Sequence, residues 1–234
     1  MRAAAVVVAT MASYAISLAI GVPALVPVFN TLASYPFMVL ALRRGRPREA
    51  VALMIVWAVA MGGCATLVAY TEPWRAGALF LRGDAYRAEM FTWVMTGHGA
   101  ESTPSQFIPQ QAGHAALFIV LALGTAGALA MPMGAVLMNY MGTYVGSLAA
   151  ASRHPGVAML LGWHPWAVIR VLSFVGLGVV LSAPLLSRAV GFQVDWRFGR
   201  RVIGVAACGL VVDVALKAAL APAWQRLLLR ISGW

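Results

Sequence analysis

The most constraining feature of this sequence is a series of long apolar runs that are almost free of charged residues. Hydrophobic residues make up 62% of the 234 residues and charged residues only 10%, against about 25% in an average soluble domain. A soluble fold of this size cannot hide so much apolar surface, because a folded chain of this length still exposes much of itself to water. The composition therefore excludes an ordinary soluble enzyme, a disordered protein and a disulfide scaffold, and it predicts a polytopic membrane protein.

The apolar runs predict an all-α bundle of about seven transmembrane helices (six to seven) in a single integral membrane domain, residues 1–234. A helix needs about 20 apolar residues to cross a hydrocarbon core of about 30 Å, and seven runs qualify, two of them narrowly. The predicted spans are residues 3–20, 24–42, 51–70, 114–131, 134–150, 166–187 and 202–221. Within the fifth span, the spacing of Gly142 and Gly146 predicts close packing against another helix.

The arginine residues predict the orientation of the bundle. The short segment after the second span carries Arg43, Arg44, Arg46 and Arg48, and a second basic cluster, which includes Arg197 and Arg201, separates the last two spans. Dense basic loops stay in the cytoplasm, so we expect a bacterial inner-membrane protein with a cytoplasmic N-terminus. This anchoring also accounts for the net charge of +10, and no nucleic-acid partner is expected. The side of the C-terminus stays open, because Lys217, Arg226 and Arg230 also favour the cytoplasm.

The longest polar stretch, residues 71–113, falls on the non-cytoplasmic side in this topology. Its first part carries bulky apolar side chains, including Trp74 and Trp93, interspersed with charges. This pattern predicts an amphipathic helix over residues 73–95 that lies on the membrane surface. The second part is rich in Gly, Pro and Ser and is predicted to be a structured loop.

Histidine and glutamate side chains gather on the same predicted side. His98, Glu101 and His114 are candidates for a catalytic site, since imidazole and carboxylate groups act as general acids and bases near neutral pH. With His164 they are also candidates for a site that binds a divalent metal such as zinc. The alternative is that these histidines only cap helices or lie in hydrated loops.

Four polar residues inside or near the spans are candidates for a substrate or ion pathway: Asn139, Arg170, Asp213 and Lys217. Ionisable groups at this depth are costly and usually face protein or a hydrated cavity. Asp213 precedes Lys217 by four residues, so both lie on one face of a helix. The alternatives are a local ion pair between these two residues and simple helix packing at Asn139.

Two surface features of the predicted bundle suggest which partners it binds. The basic segment 43–49, from Arg43 to Glu49, is suited to anionic lipid headgroups, and docking of a cytoplasmic partner there is an alternative. The Gly-x-x-x-Gly spacing is also compatible with a homo-oligomer or with other membrane subunits.

Three functions are compatible with these features. The first is a small transporter or the membrane component of a transport system, which the compact bundle and the intramembrane polar residues favour. The second is an intramembrane or interfacial enzyme, a hydrolase or transferase acting on a lipid or peptide, which the long external loop favours. The third is a structural subunit of a larger membrane complex.

Overall fold

The computed structural model describes residues 1–233, and within that range the chain is built of helices with no strand. The α-helices are α1 (Arg2–Ile20), α2 (Val26–Leu32), α3 (Tyr35–Arg43), α4 (Pro47–Thr71), α5 (Pro73–Leu79), α6 (Gly83–Thr96), α7 (Pro104–Gly124), α8 (Ala130–Ala151), α9 (Pro155–Gly162), α10 (Pro165–Val190) and α11 (Trp196–Ser232). Short 3₁₀ turns cover Pro23–Leu25 and Ala100–Ser102.

Six segments in the described range are long and apolar enough to cross a membrane: α1, the segment Pro23–Arg43 that contains α2 and α3, α4, α7, α10 and α11. The prediction of a helical membrane bundle is therefore confirmed. The predicted span 134–150 corresponds to α8, which is not one of the six. Polar side chains such as Asn139 and Tyr144 lower its mean hydropathy, and both are buried inside the bundle. The count of seven spans stays a prediction.

Two predicted spans have different boundaries in the structure. The span predicted at 114–131 is α7, which begins at Pro104 and ends at Gly124. The residues from Pro104 resemble a loop in composition, but proline is well suited to the first turn of a helix. This stretch therefore forms the beginning of α7. The span predicted at 202–221 is the 37-residue α11, which is about 55 Å long at about 1.5 Å per residue.

The helix predicted over residues 73–95 is instead two helices, α5 and α6. The chain breaks between them at Arg82, whose φ of 60° lies in the left-handed region. The two helices pack closely, because a Cβ on Gly77 would come within 2.0 Å of the Asp84 carboxylate. Helix α6 buries Met90 and Trp93 against the bundle. Its location at a membrane surface stays a prediction.

The second span is interrupted at Ala33 and Ser34, and a buried polar network lies beside the break. The Asn30 amide donates to Ser13 Oγ at 2.9 Å and accepts from Asn139 Nδ2 at 2.9 Å. The Tyr14 hydroxyl donates to Asn139 Oδ1. These bonds join α1, α2 and α8, so each side-chain amide has partners despite its burial.

The turn between α7 and α8, residues 125–129, is compact and its backbone groups are bonded. Thr125 Oγ1 accepts from Leu129 N at 3.0 Å, and Tyr35 donates to the Ala126 carbonyl at 2.7 Å. Gly127 has a φ of 83°, and a Cβ there would come within 2.3 Å of Ser182 Oγ. No Asp, Glu, Lys or Arg occurs between residues 102 and 152, so both the helices and the turn of this hairpin are uncharged.

The basic clusters meet at one end of the bundle, here called the arginine end. Arg2 forms an ion pair with Glu49, and Arg48 lines a surface cleft together with Arg197 and Arg201. The arginine residues of this end are Arg2, Arg43, Arg44, Arg46, Arg48, Arg188, Arg197, Arg200 and Arg201. The C-terminal part of α11 lies at the other end, where Trp224 Nε1 donates to the Leu161 carbonyl at 2.9 Å.

Helices α4 and α8 approach each other through the two glycines of the fifth predicted span. A Cβ on Gly142 would come within 2.4 Å of Ala65 Cβ, and one on Gly146 within 2.3 Å of the Thr66 carbonyl oxygen. Real Cβ atoms do not approach backbone so closely. The glycine spacing therefore brings the two backbones into contact, as the sequence predicts.

We expect Gly146→Ala to destabilise the protein by about 1–3 kcal/mol, because the added methyl group must push α8 away from α4. The free energy of unfolding in mixed micelles measures this loss. Gly63→Ala is the matched control, since a Cβ at this position of α4 meets nothing within 4 Å. Equal stability of the two variants would contradict the close packing of α4 and α8.

Candidate functional site

A cavity of about 240 Å³ lies between α6, α7, α8, α10 and α11. Most of its lining is apolar or aromatic, and includes Phe118, Trp166 and Phe174. The charged and polar groups that reach it include Glu89 on α6, Glu101 before α7, Gln111 and His114 on α7, Arg170 on α10, and Asp213 and Lys217 on α11. A largely apolar cavity with a few convergent polar groups is the usual form of a small-molecule site.

Arg170 and Asp213 form a two-pronged ion pair in the wall of this cavity. Arg170 Nε donates to Asp213 Oδ2 at 2.8 Å, and Nη2 donates to Oδ1 at 2.9 Å. Asp213 is only 1% exposed. Paired planar groups of this kind have strong charge-assisted hydrogen bonds, so the pair joins α10 firmly to α11.

Lys217 forms a second ion pair, with a residue far away in sequence. Its Nζ lies 2.7 Å from Glu101 Oε1 and 4.6 Å from the centre of the Phe107 ring. The local ion pair between Asp213 and Lys217 that the sequence suggests does not form, because each residue has a partner on another segment. The four charges of the two pairs compensate one another.

The depth of the site follows from the geometry of α11. Asp213 lies about 18 Å and Lys217 about 24 Å along the helix axis from Arg201, at about 1.5 Å per residue. Both ion pairs therefore lie far from the arginine end, near the middle of the 37-residue α11. The Lys217–Glu101 pair is the one nearer the far end.

His164 lies directly before α10, within the aromatic part of the site. Its ring stacks on Trp166 at 4.7 Å between centroids, and Nε2 lies 3.3 Å from the Tyr144 hydroxyl. Burial lowers the pKa of His164 to about 4; the Glu101 carboxylate opposes this shift, whereas the Lys217 and Arg170 charges add to it. His164 is therefore a neutral imidazole at physiological pH.

Glu101 is held as a carboxylate. Burial by itself would raise the pKa of this group, but the surrounding positive groups, chiefly Lys217 with Arg170 further away, together outweigh the burial, and the pKa lies below its usual value. Glu101 therefore stays a carboxylate beside Lys217, so a ligand that approaches Lys217 also meets a negative charge.

Gln111 differs from the other polar groups of the cavity, because both polar atoms of its amide are buried without a hydrogen bond to the described residues. A buried amide without partners costs free energy. Its position in the cavity lining gives it one donor group and one acceptor group to offer a ligand.

The structure separates the predicted catalytic residues. Glu101 and His114 line the cavity, whereas His98 is exposed and is not part of the lining. Of the four predicted metal ligands, Glu101, His114 and His164 line the cavity. No group of three or more His, Cys, Asp or Glu side chains within residues 1–233 could hold a metal ion. The geometry thus provides no metal centre in this part of the chain.

The predicted pathway residues separate as well. Arg170, Asp213 and Lys217 are brought together in the cavity, and they are the strongest part of the candidate site. Asn139 is not among the residues that line the cavity. Its amide is bonded on both sides within the α1–α2–α8 network.

Several residues of the site are missed by sequence reasoning. Tyr86 on α6, Tyr140 on α8 and Gln111 on α7 line the cavity. Burial raises the pKa of Tyr86 well above its usual value, so its hydroxyl stays protonated. The sequence does contain a feature that could have identified Gln111, because Gln110 and Gln111 are adjacent amides within a helix that is otherwise mostly apolar.

Comparisons with known proteins add no relative. The sequence matches no protein-family model, and neither a curated protein nor a solved structure matches the chain.

We expect Asp213→Asn to destabilise the protein by about 3–5 kcal/mol, because it leaves the Arg170 charge unpaired beside the cavity. The double variant R170M/D213L should recover most of this loss, since no charge is then left buried. Unfolding in mixed micelles measures both variants.

Glu72→Gln is the control for the loss of an ion pair as such, because it removes an exposed pair with Arg75 and should cost less than about 1 kcal/mol. If Asp213→Asn were as mild as Glu72→Gln, the Arg170–Asp213 pair would not be what joins α10 to α11.

We expect the thermal midpoint to fall as the pH is lowered from 7 to 4.5, in part because of His164. Its pKa is about 4 in the folded protein against an ordinary value of 6.5, so the unfolded chain binds more protons within this window and stability is lost as pH falls. His164→Gln should flatten the dependence. His154→Gln, at an exposed histidine, should keep the wild-type slope. Equal slopes for wild type and His164→Gln would contradict the burial of a neutral imidazole.

Proposed function

We propose that this protein is a small membrane transporter, or the membrane component of a transport system, and that its substrate occupies the cavity beside the Arg170–Asp213 pair. The observation that carries the proposal is a cavity of about 240 Å³ with two compensated ion pairs inside a bundle of membrane-crossing helices. The unpaired amide of Gln111 supports it, since this group can bond a substrate. The interrupted second span is also typical of transporters.

The Lys217–Glu101 pair is the proposed gate at the far end of the cavity. Glu101 belongs to the short turn Ala100–Ser102, which follows Gly97 and Gly99 with φ values of 74° and 142°. Such a glycine-flanked turn can change its backbone angles at low cost. Separation of Glu101 from Lys217 would open the cavity on that side.

The proposed location is a bacterial inner membrane with the arginine end in the cytoplasm. Support comes from the gathering of the basic clusters at one end of the bundle, since short loops rich in Arg are retained in the cytoplasm. The N-terminus then lies in the cytoplasm, and the Lys217–Glu101 gate faces the opposite side.

An interfacial enzyme is the second candidate, because Glu101 and His114 line the same cavity. A carboxylate and an imidazole on one ligand site can act as acid and base. This candidate and the transporter differ in access: an enzyme needs to admit its substrate from one side only, whereas a carrier must open to both sides in turn.

Cysteine labelling tests the proposal. In a C64A/C208A background, Ala115→Cys places a thiol in the cavity lining on α7. In liposomes that contain the protein in one orientation, we expect a membrane-impermeant thiol reagent to label this cysteine from either side, because the cavity opens to each side in turn. Glu101→Gln, which weakens the gate, should raise the rate from the far side severalfold.

Ala122→Cys is the matched control, since this residue lies two turns further along α7, is fully buried and does not line the cavity. It should remain unlabelled. Labelling of Ala115→Cys from one side only would contradict transport and favour the enzyme. No labelling from either side would contradict both and favour a structural subunit.

A further inference from the structure

The arginine end contains a second site, formed where the first turns of α4 and α11 meet. A cleft of about 280 Å³ is lined by Arg48 of α4 and by Asp195, Arg197, Phe198 and Arg201 at the start of α11. Arg197 and Arg201 are four residues apart, so they lie on one face of the helix. Three guanidinium groups from two helices therefore line one small space.

Within the described part of the chain, these three arginines have no acidic partner. No ion pair involves Arg48, Arg197 or Arg201 among residues 1–233. The one acid in the cleft, Asp195, uses Oδ1 to accept from Phe198 N at 2.9 Å and so caps α11. The cleft therefore keeps a net positive charge, which is suited to an anion, and guanidinium groups match the geometry of phosphate oxygens.

An apolar crevice continues from the same cleft. A smaller cavity of about 50 Å³ shares Asp195 and Phe198 with it and is lined further by aliphatic side chains of α3 and α10, among them Leu42 and Val180. Beside it, Trp196 is 60% exposed, as is typical of an aromatic side chain at the membrane boundary. The whole site thus offers cations next to an apolar slot.

We propose that this cleft binds an anionic glycerophospholipid, with the lipid phosphate between Arg48, Arg197 and Arg201 and the start of an acyl chain in the crevice. A free phosphate would use only the arginines, whereas a lipid would use both parts. A lipid held here joins the α3–α4 turn to the α10–α11 turn. This site is separate from the cavity of the proposed transport function, and its test does not depend on that function.

Lipid binding by the full-length protein in neutral detergent tests the proposal. The probes are dioctanoyl-phosphatidylglycerol, dioctanoyl-phosphatidylcholine and glycerol 3-phosphate, and the readout is native mass spectrometry or the shift of the thermal midpoint with ligand concentration. We expect phosphatidylglycerol to bind about tenfold or more tightly than either of the other two, since only it has both the net negative charge and the acyl chains.

Two sets of variants of equal charge distinguish a cleft from a merely basic surface. R48Q/R197Q/R201Q removes the three arginines of the cleft, whereas R43Q/R44Q/R200Q removes three exposed arginines of the same end that do not line it. We expect the first set to weaken phosphatidylglycerol binding about tenfold or more, and the second less than about threefold. Should a triple variant fold poorly, the neighbouring single variants R201Q and R200Q make the same comparison.

An equal loss in the two sets would overturn the proposal, because general surface charge would then explain the binding. Binding of glycerol 3-phosphate as tight as that of the lipid would overturn the role of the crevice and assign the cleft to free phosphate esters. Phosphatidylcholine binding as tight as that of phosphatidylglycerol would overturn the role of the arginines.

Discussion

The Arg170–Asp213 ion pair is the interaction on which the candidate site depends. A charge in the hydrocarbon core needs a partner within the protein, and here the partner of each charge lies on a different segment. Arg170 ties α10 to α11, and Glu101 ties the turn before α7 to Lys217 of the same α11. Helix α11 is therefore the common element, and the cavity lies where its two paired residues hold neighbouring segments around a space that the side chains do not fill.

A second group of buried polar side chains, around Asn139, is satisfied by hydrogen bonds instead of ion pairs. Around Asn139 the side-chain amides bond each other and Tyr14, and each has partners. In the cavity, by contrast, the amide of Gln111 makes no bond to the described residues. The amides of the Asn139 network thus all have partners within the protein, whereas the amide of Gln111 can still bond a ligand. This difference supports placing ligand binding beside Asp213 rather than beside Asn139.

The sequence was sufficient to predict a helical membrane bundle, but not all of its helix boundaries and only part of the site. Long uncharged runs predict helices, and the spacing of Gly142 and Gly146 predicts the contact that α8 makes with α4. The positions of the few charges along the chain also single out Asp213 and Lys217, which lie within or near a predicted span. The partner of Lys217 could not be predicted, because Glu101 is brought to Lys217 only by the folding of the external segment. Gln111 was missed for a related reason: the prolines before it favour a loop, although the first turns of a helix tolerate them.

The walls of the cavity differ in how firmly they are attached to the rest of the bundle. Helix α7 carries no Asp, Glu, Lys or Arg, and only Phe107, Phe118 and Ala122 of its side chains are buried. The close approach of Gly127 to Ser182 holds the turn at one end of α7. At its other end the Lys217–Glu101 pair is the ionic connection to α11. Helix α8 is fixed to α4 through glycine contacts, whereas α7 and the segment before it are held by one ion pair and few buried side chains.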